Sequence, residues 1–170
     1  MPTASWELDW KARPREEAAL FNPAFCGEII SRAAVPYLQT KPQGLALPLA
    51  YLILPLTLSA LLRDVLPRRS DTTFATWAGL NRVWLADLPD RVSALRPITR
   101  EALLFIIQHR ALKLTATGLV LGEAPLKLNR KLSANTDETA HIRLAATALG
   151  RWLAQQGAAT QILQTMGIRP

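Results

Sequence analysis

The stretch Leu45-Ala-Leu-Pro-Leu-Ala-Tyr-Leu-Ile-Leu-Pro-Leu-Thr-Leu-Ser-Ala-Leu-Leu62 is the core of a charge-free run that begins at Pro42. It has two readings, a membrane span or the central buried helix of a globular domain. A helix over Leu45 to Leu62 is about 27 Å long at roughly 1.5 Å per residue, short of the roughly 30 Å hydrocarbon core of a bilayer. Pro55 sits mid-run and removes the hydrogen bond that the Tyr51 carbonyl would accept. Pro48 suits a first turn, where its missing N–H costs nothing. A helix from Pro48 to Leu66, ended by Pro67, therefore fits better than a span. It carries Arg63 and Asp64 in its last two turns, and no Trp or Tyr marks its ends as interfacial anchors would. The preferred reading is a helix apolar on all sides because other helices surround it, kinked at Pro55, with no membrane contact.

The rest of the composition agrees with a globule. The 170 residues are long enough for one domain with a sizeable core. Hydrophobic residues make up 49 % and charged residues only 19 %, with a mean hydropathy of +0.11, so part of the surface is expected to lie against a partner. The one cysteine, Cys26, excludes an internal disulfide and fits a reducing cytoplasm. Met1 to Trp10 hold Glu7 and Asp9 and no apolar core, which predicts no signal peptide.

Charge is concentrated in one segment. Residues 1–90 balance nine Lys or Arg against nine Asp or Glu, whereas residues 91–131 hold eight against two. The net charge of +7 is thus mostly the work of Arg91, Arg96, Arg100, Arg110, Lys113, Lys127, Arg130 and Lys131.

Local signals predict a mainly α chain. Residues 1–13 lack periodicity and read as an extended arm pinned by Trp6 and Trp10, and Pro14 to Leu20 reads as a short helix. Asn22 is a good N-cap and Pro23 a good first residue for a helix ending near Tyr37. After the central run, helices are expected at about Thr72–Arg82 and Val83–Leu95, with Arg96-Pro-Ile-Thr99 stopping the second and capping the next. Ala102, Leu103, Ile106, Ile107 and Ala111 give that next helix a broad buried face. The period then falls to two: Leu112, Leu114 and Ala116 alternate with Lys113, Thr115 and Thr117, Gly118 turns, and Leu119-Val-Leu121 returns. Helices followed by a hairpin predict a winged-helix-like portion over 46–122. Thr136 or Asp137 caps a long helix to about Gln156, and C-terminal helices occupy 136–166 of a single 1–170 domain.

Catalytic and cofactor motifs are missing. No two glycines lie closer than four apart and no Gly-Lys-Ser/Thr occurs, so no phosphate loop and no nucleotide cofactor is expected. His109, His141 and Cys26 share no ligand spacing, so no zinc site is expected. Cys26 reads as a small buried hydrophobe, and Glu16-Glu17 and Asp137-Glu138 as acids at helix starts. The expectation is a protein that is not an enzyme and takes no small-molecule substrate.

What remains is surface. Arg96, Arg100, Arg110, Lys113, Lys127, Arg130 and Lys131 are candidates for contact with nucleic-acid phosphates, as a wing and its preceding helix make, or with an acidic protein partner. Trp6, Trp10, Trp77 and Trp84 are candidate protein-interface anchors, with the core as the competing place for Trp77 and Trp84.

Four segments carry a family resemblance: Leu20-Phe-Asn-Pro-Ala-Phe25, Leu52-Ile-Leu-Pro-Leu56, Arg96-Pro-Ile-Thr-Arg-Glu-Ala-Leu103 and Leu163-Gln-Thr-Met-Gly-Ile-Arg-Pro170. In their order and spacing, over nearly the whole chain, they resemble the middle component of three-component ABC systems, the bacterial anti-phage defence modules that include Lamassu. The resemblance implies an adaptor between an effector, often a nuclease, and an SMC-like ABC ATPase that senses foreign DNA, and it brings no catalytic residues with it. The alternative is a free-standing winged-helix transcription regulator, which would dimerise on a palindrome.

Overall fold

The computed structural model describes residues 12–129 and 136–169. Its helices are α1 (Arg15–Leu20), α2 (Pro23–Thr40), α3 (Leu47–Leu58), α4 (Ala60–Asp64), α5 (Phe74–Leu80), α6 (Arg82–Leu85), α7 (Leu88–Gln108), α8 (Asp137–Ala154) and α9 (Ala159–Thr165). Strands β1 (Leu112–Leu114) and β2 (Leu119–Leu121) form an antiparallel hairpin between α7 and α8. The fold is mainly α, with one two-stranded antiparallel hairpin among the described residues.

The apolar run is the central buried helix. Leu49, Ala50, Leu52, Ile53, Leu54 and Leu56 of α3 are all buried, enclosed by α2, α7, α8 and α9. No helix among the described residues is long and apolar enough to cross a membrane. The expected single helix to Leu66 is instead broken at Ser59, whose extended backbone (φ −79°, ψ 119°) ends α3 and starts α4. Arg63 makes the break tolerable: its guanidinium folds back to donate to the Thr57 carbonyl at 2.7 Å and reaches Glu138 of α8 at 2.5 Å. A cation on the last carbonyls of α3 satisfies acceptors the helix leaves open and offsets its negative end.

Two other prolines are absorbed within helices. α2 runs through the buried Pro36 to Thr40, and α7 runs unbroken through Pro97 where a stop was expected. Pro97 lies on the exposed side, so the Ser93 carbonyl it leaves unpaired faces water, while the buried stripe of Val92, Thr99, Ala102 and Ile106 continues past it. The predicted N-caps at Asn22 and Thr136 are present. The Asn22 side chain accepts from the Ala24 N–H at 2.8 Å, and Thr136 forms a reciprocal capping box with Thr139.

The hairpin pairs Leu112 with Leu121 and Leu114 with Leu119. Its sheet gains a third position ahead of α3: the Leu45 N–H donates to the Leu119 carbonyl at 2.9 Å and the Leu119 N–H returns the bond at 2.8 Å. Gly118, at φ +143°, lets these backbones meet, since a Cβ there would lie 2.3 Å from the Leu45 oxygen.

Helices α2 and α8 touch backbone to backbone at Gly150, where a Cβ would stand 2.0 Å from the Ala33 oxygen. An opposite case is Gly79 in α5, which is exposed and where a Cβ would meet nothing within 4 Å. Gly150→Ala is therefore expected to cost on the order of 3 kcal/mol in urea denaturation, because a backbone oxygen cannot rotate away. Gly79→Ala is expected to add roughly 0.5–1 kcal/mol by lowering unfolded-chain entropy.

Candidate functional site

The basic segment is divided by α7. Arg96, Arg100 and Ile107 share one helical face by their spacing, and Ile107 sits in a hollow with Leu112, Lys113 and Arg110 at the hairpin. Arg96, Arg100, Arg110 and Lys113 therefore lie along the same side of the helix and onto β1. Lys127 lies on the other side, over the groove where Phe105 and Ile106 of α7 meet Glu28 and Arg32 of α2. Arg96, Arg100, Lys113 and Lys127 are exposed and have no ion-pair partner among the described residues. Arg110 reaches Glu123 at 3.5 Å, with both side chains largely exposed. Arg130, Lys131, Trp6, Trp10 and most of the arm at 1–13 lie outside the described residues.

Arg110 also shapes the exit from α7. It holds φ +56°, the one positive φ among the described residues other than glycine. Its N–H donates to the Ile107 carbonyl at 2.9 Å and the next N–H, of Ala111, donates to Ile106 at 2.9 Å. This is a left-handed helix stop of the kind glycine normally supplies. The stop turns the chain into β1, and so places Lys113.

The loop bearing Lys127 is tied to a partly buried ionic hub. Glu28 accepts from Arg143 of α8 at 2.7 and 3.1 Å and from Arg32 at 2.7 Å, and Arg32 also donates to the Leu128 carbonyl at 3.1 Å. Burial acts to raise the Glu28 pKa, but hydrogen bonds from Arg143 and Arg32, and their charges, outweigh it and hold the carboxyl below its ordinary value. Sequence reasoning missed this hub because its members are 115 residues apart, and only the i, i+4 spacing of Glu28 and Arg32 was visible.

The tryptophans separate. Trp77 is 3 % exposed and packs with Phe74 and Trp152, at ring distances of 5.5 and 4.9 Å. Its indole N–H donates to the Val65 carbonyl at 2.6 Å, as that of Trp152 does to Thr72. Trp77 is thus placed in the core. Trp84 is 48 % exposed and stands beside Leu80 at 80 % and Val83 at 84 %, which makes the α5–α6 corner an apolar patch.

Among the described residues, the groups with nucleophilic or ligating chemistry do not converge. Burial, reinforced by the charge of Glu101, pushes the Cys26 thiol up to about 12, so it stays protonated at neutral pH. His109 and His141 are exposed on different helices, and no group of three or more His, Cys, Asp or Glu is placed to hold a metal among the described residues.

Two outcomes follow for this region. A carboxylate held below its ordinary pKa contributes stability above the unfolded-state value, and that contribution is lost as pH falls through the native one. Glu28→Gln should therefore lower the melting temperature at pH 7 and narrow the gap to the parent as pH drops below about 4.5. Arg110→Gly should raise stability by roughly 0.5–1 kcal/mol, because relief of the left-handed conformation outweighs an exposed ion pair; a fall in the urea midpoint would assign the larger role to the charge.

No curated protein and no solved structure matches the chain. Residues 10–170 match the family model described as ABC-three component (ABC-3C) system Middle Component 3. With the match running through the apolar α3, the α7–hairpin unit and the C-terminal helices, the chain belongs to the Middle Component 3 family of ABC-three component systems.

Proposed function

We propose that this chain is a non-catalytic, cytoplasmic adaptor in an anti-phage defence complex of the Lamassu type. It links an effector, such as a nuclease, to an SMC-like ABC ATPase that senses foreign DNA, and it restrains the effector until DNA engagement rearranges the assembly. Membership in a family of middle components supports the presence of protein partners. The observation that carries the adaptor reading is the separation of two exposed surfaces along one helix. The apolar corner of Leu80, Val83 and Trp84 precedes α7, and the basic hairpin end with Lys113 follows it. A helix of 21 residues sets them about 30 Å apart, far enough for two partners to bind without collision.

The two surfaces differ in chemistry, so they select different partners. A patch of large exposed apolar side chains favours a protein face that buries them, with Trp84 as the anchor. The Arg100 and Lys113 side favours an anionic surface, either an acidic protein face or DNA held by the ATPase. Joining both contacts through a single packed helix would let displacement at one end reach the other.

Reconstitution tests the restraint: with effector and ATPase alone, DNA-independent effector activity is expected, and adding this chain should restore dependence on DNA. Unchanged, DNA-regulated activity without the chain would refute the adaptor role. Recovery of the chain alone as a dimer on palindromic DNA would replace it with the regulator reading. In pairwise co-purification, Trp84→Ala with Leu80→Ser should weaken one partner at least tenfold, about 1.4 kcal/mol, and leave the other bound. Arg100→Glu with Lys113→Glu should show the reverse selectivity.

A further inference from the structure

A cleft of about 530 Å³ opens between the first turns of α3 and α7 and the chain that follows α9. Its accessible apolar lining comes from the half-buried Leu47, Pro48, Tyr51 and Ile168, with Leu52 and Leu163 buried behind them. Arg96 and Arg169 also line it. Neither has an ion-pair partner among the described residues, and Asp90 is the one acidic residue in the lining.

The wall that carries Arg169 is a built feature. Gly167 adopts φ +69°, its N–H donates to the Gln164 carbonyl at 3.0 Å, and the Ile168 N–H donates back to Leu163 at 2.9 Å. This closure turns the chain back over α9 and sets Ile168 and Arg169 against the cleft. A side chain at position 167 would strain it, since only glycine holds this conformation without steric cost.

We propose that this cleft docks an amphipathic segment of a companion protein, with apolar side chains on the floor and carboxylates toward Arg96 and Arg169. The identification of that companion as another component of the same system rests on the adaptor reading. The charge arrangement selects this occupant. Two cations against one acid make the mouth complementary to carboxylates, and beside these exposed charges the lining offers a buried polar ligand the Ser93 and Tyr51 hydroxyls as its side-chain partners. A small polar metabolite would need convergent hydrogen-bonding groups inside the cavity, and here the charged groups stand at its edge. A nucleic-acid duplex is too wide to enter and would leave the apolar floor unfilled. A helix or turn bearing two or three large apolar residues fills a volume of this size, in the manner of a helix laid in a groove.

The test uses overlapping 15-residue fluorescent peptides that tile the two companion proteins of the system, titrated against the full chain. The expected result is saturable binding of a peptide that has apolar residues flanked by at least two Asp or Glu. Arg96→Glu with Arg169→Glu should weaken it at least tenfold, and Asp90→Asn should tighten it about twofold, the size set by removing one like charge near an exposed site. Lys in place of the peptide's acids should restore binding to the double variant. All these positions are at the surface, and circular dichroism will verify that the variants fold. The proposal is overturned if no tiled peptide binds, if the bound peptides lack acids, if charge reversal leaves affinity unchanged, or if a DNA duplex binds with the same sensitivity to both arginines. Co-purification of the parent chain with its companions, run in parallel, separates the two readings. Complexes that survive the arginine reversals refute the cleft and keep the adaptor; absence of any complex with the parent chain refutes the adaptor and, with it, the companion assigned to the cleft.

Discussion

Leu52, Ile53, Leu54 and Leu56 stand at positions that point in different directions around α3, and each is wholly buried. A helix without a polar face has to be enclosed on every side, and that constraint arranges everything else. It draws α2, α7, α8 and α9 around one axis and leaves α3 partly open at its ends and at Tyr51, which lines the cleft. Its C-terminal end is where polar backbone groups would otherwise be stranded, and there Arg63, itself nearly buried, supplies the donors. The same arginine reaches Glu138, so the end of the central helix and the start of α8 are secured by one side chain.

Enclosure also needs close approach between the surrounding helices. Small residues provide it: Gly150 sets α8 on the Ala33 backbone, and Gly27 makes room for Ile106, whose methyl would lie 2.2 Å from a Cβ at that position. Around these contacts the Glu28 hub adds direction rather than bulk. One carboxylate serving arginines from α2 and α8 fixes how the two helices are rotated, and the second bond of Arg32 carries that order out to the loop at Leu128. A partly buried carboxylate between two guanidinium groups is satisfied in geometry that a surface pair does not reach.

Much of this was legible from local chemistry. Asn22 and Thr136 mark helix starts because their side chains bond the first free N–H groups, and the alternation from Leu112 to Leu121 marks the hairpin, of which Leu112 and Leu119 are buried while Leu114 and Leu121 stay exposed. The misread positions are those where a distant contact decides. Ser59 breaks the apolar run and caps α4 by accepting the Leu62 N–H at 3.5 Å, but it is Arg63 and Glu138, outside the run, that hold the break. Pro97 is carried through because its unpaired carbonyl faces water, a fact about position on the fold. The Leu45 strand position exists only opposite Leu119. Trp77 and Trp84 have similar sequence settings, yet the first meets Trp152 across the core and the second meets solvent. Arg110 had no signal at all, since glycine is the residue that usually marks a left-handed stop.

The charge pattern shows how far a one-dimensional reading can go. Eight cations between 91 and 131 suggest a single basic patch, but the buried stripe of α7 separates those among the described residues. Arg96, Arg100 and Lys113 follow one side, while Arg91 lines a hollow with Leu20 and Leu95 and Lys127 lies over the α2 groove. At Glu101 the helix even carries an anion, paired with Arg13 at 3.0 Å. Attraction between exposed charges fades over about 8 Å at physiological salt, so cations on opposite sides of a helix about 10 Å across do not act on a partner as one field. The basic segment therefore presents separate surfaces, and an anionic partner that engages Arg100 and Lys113 leaves Lys127 for another contact.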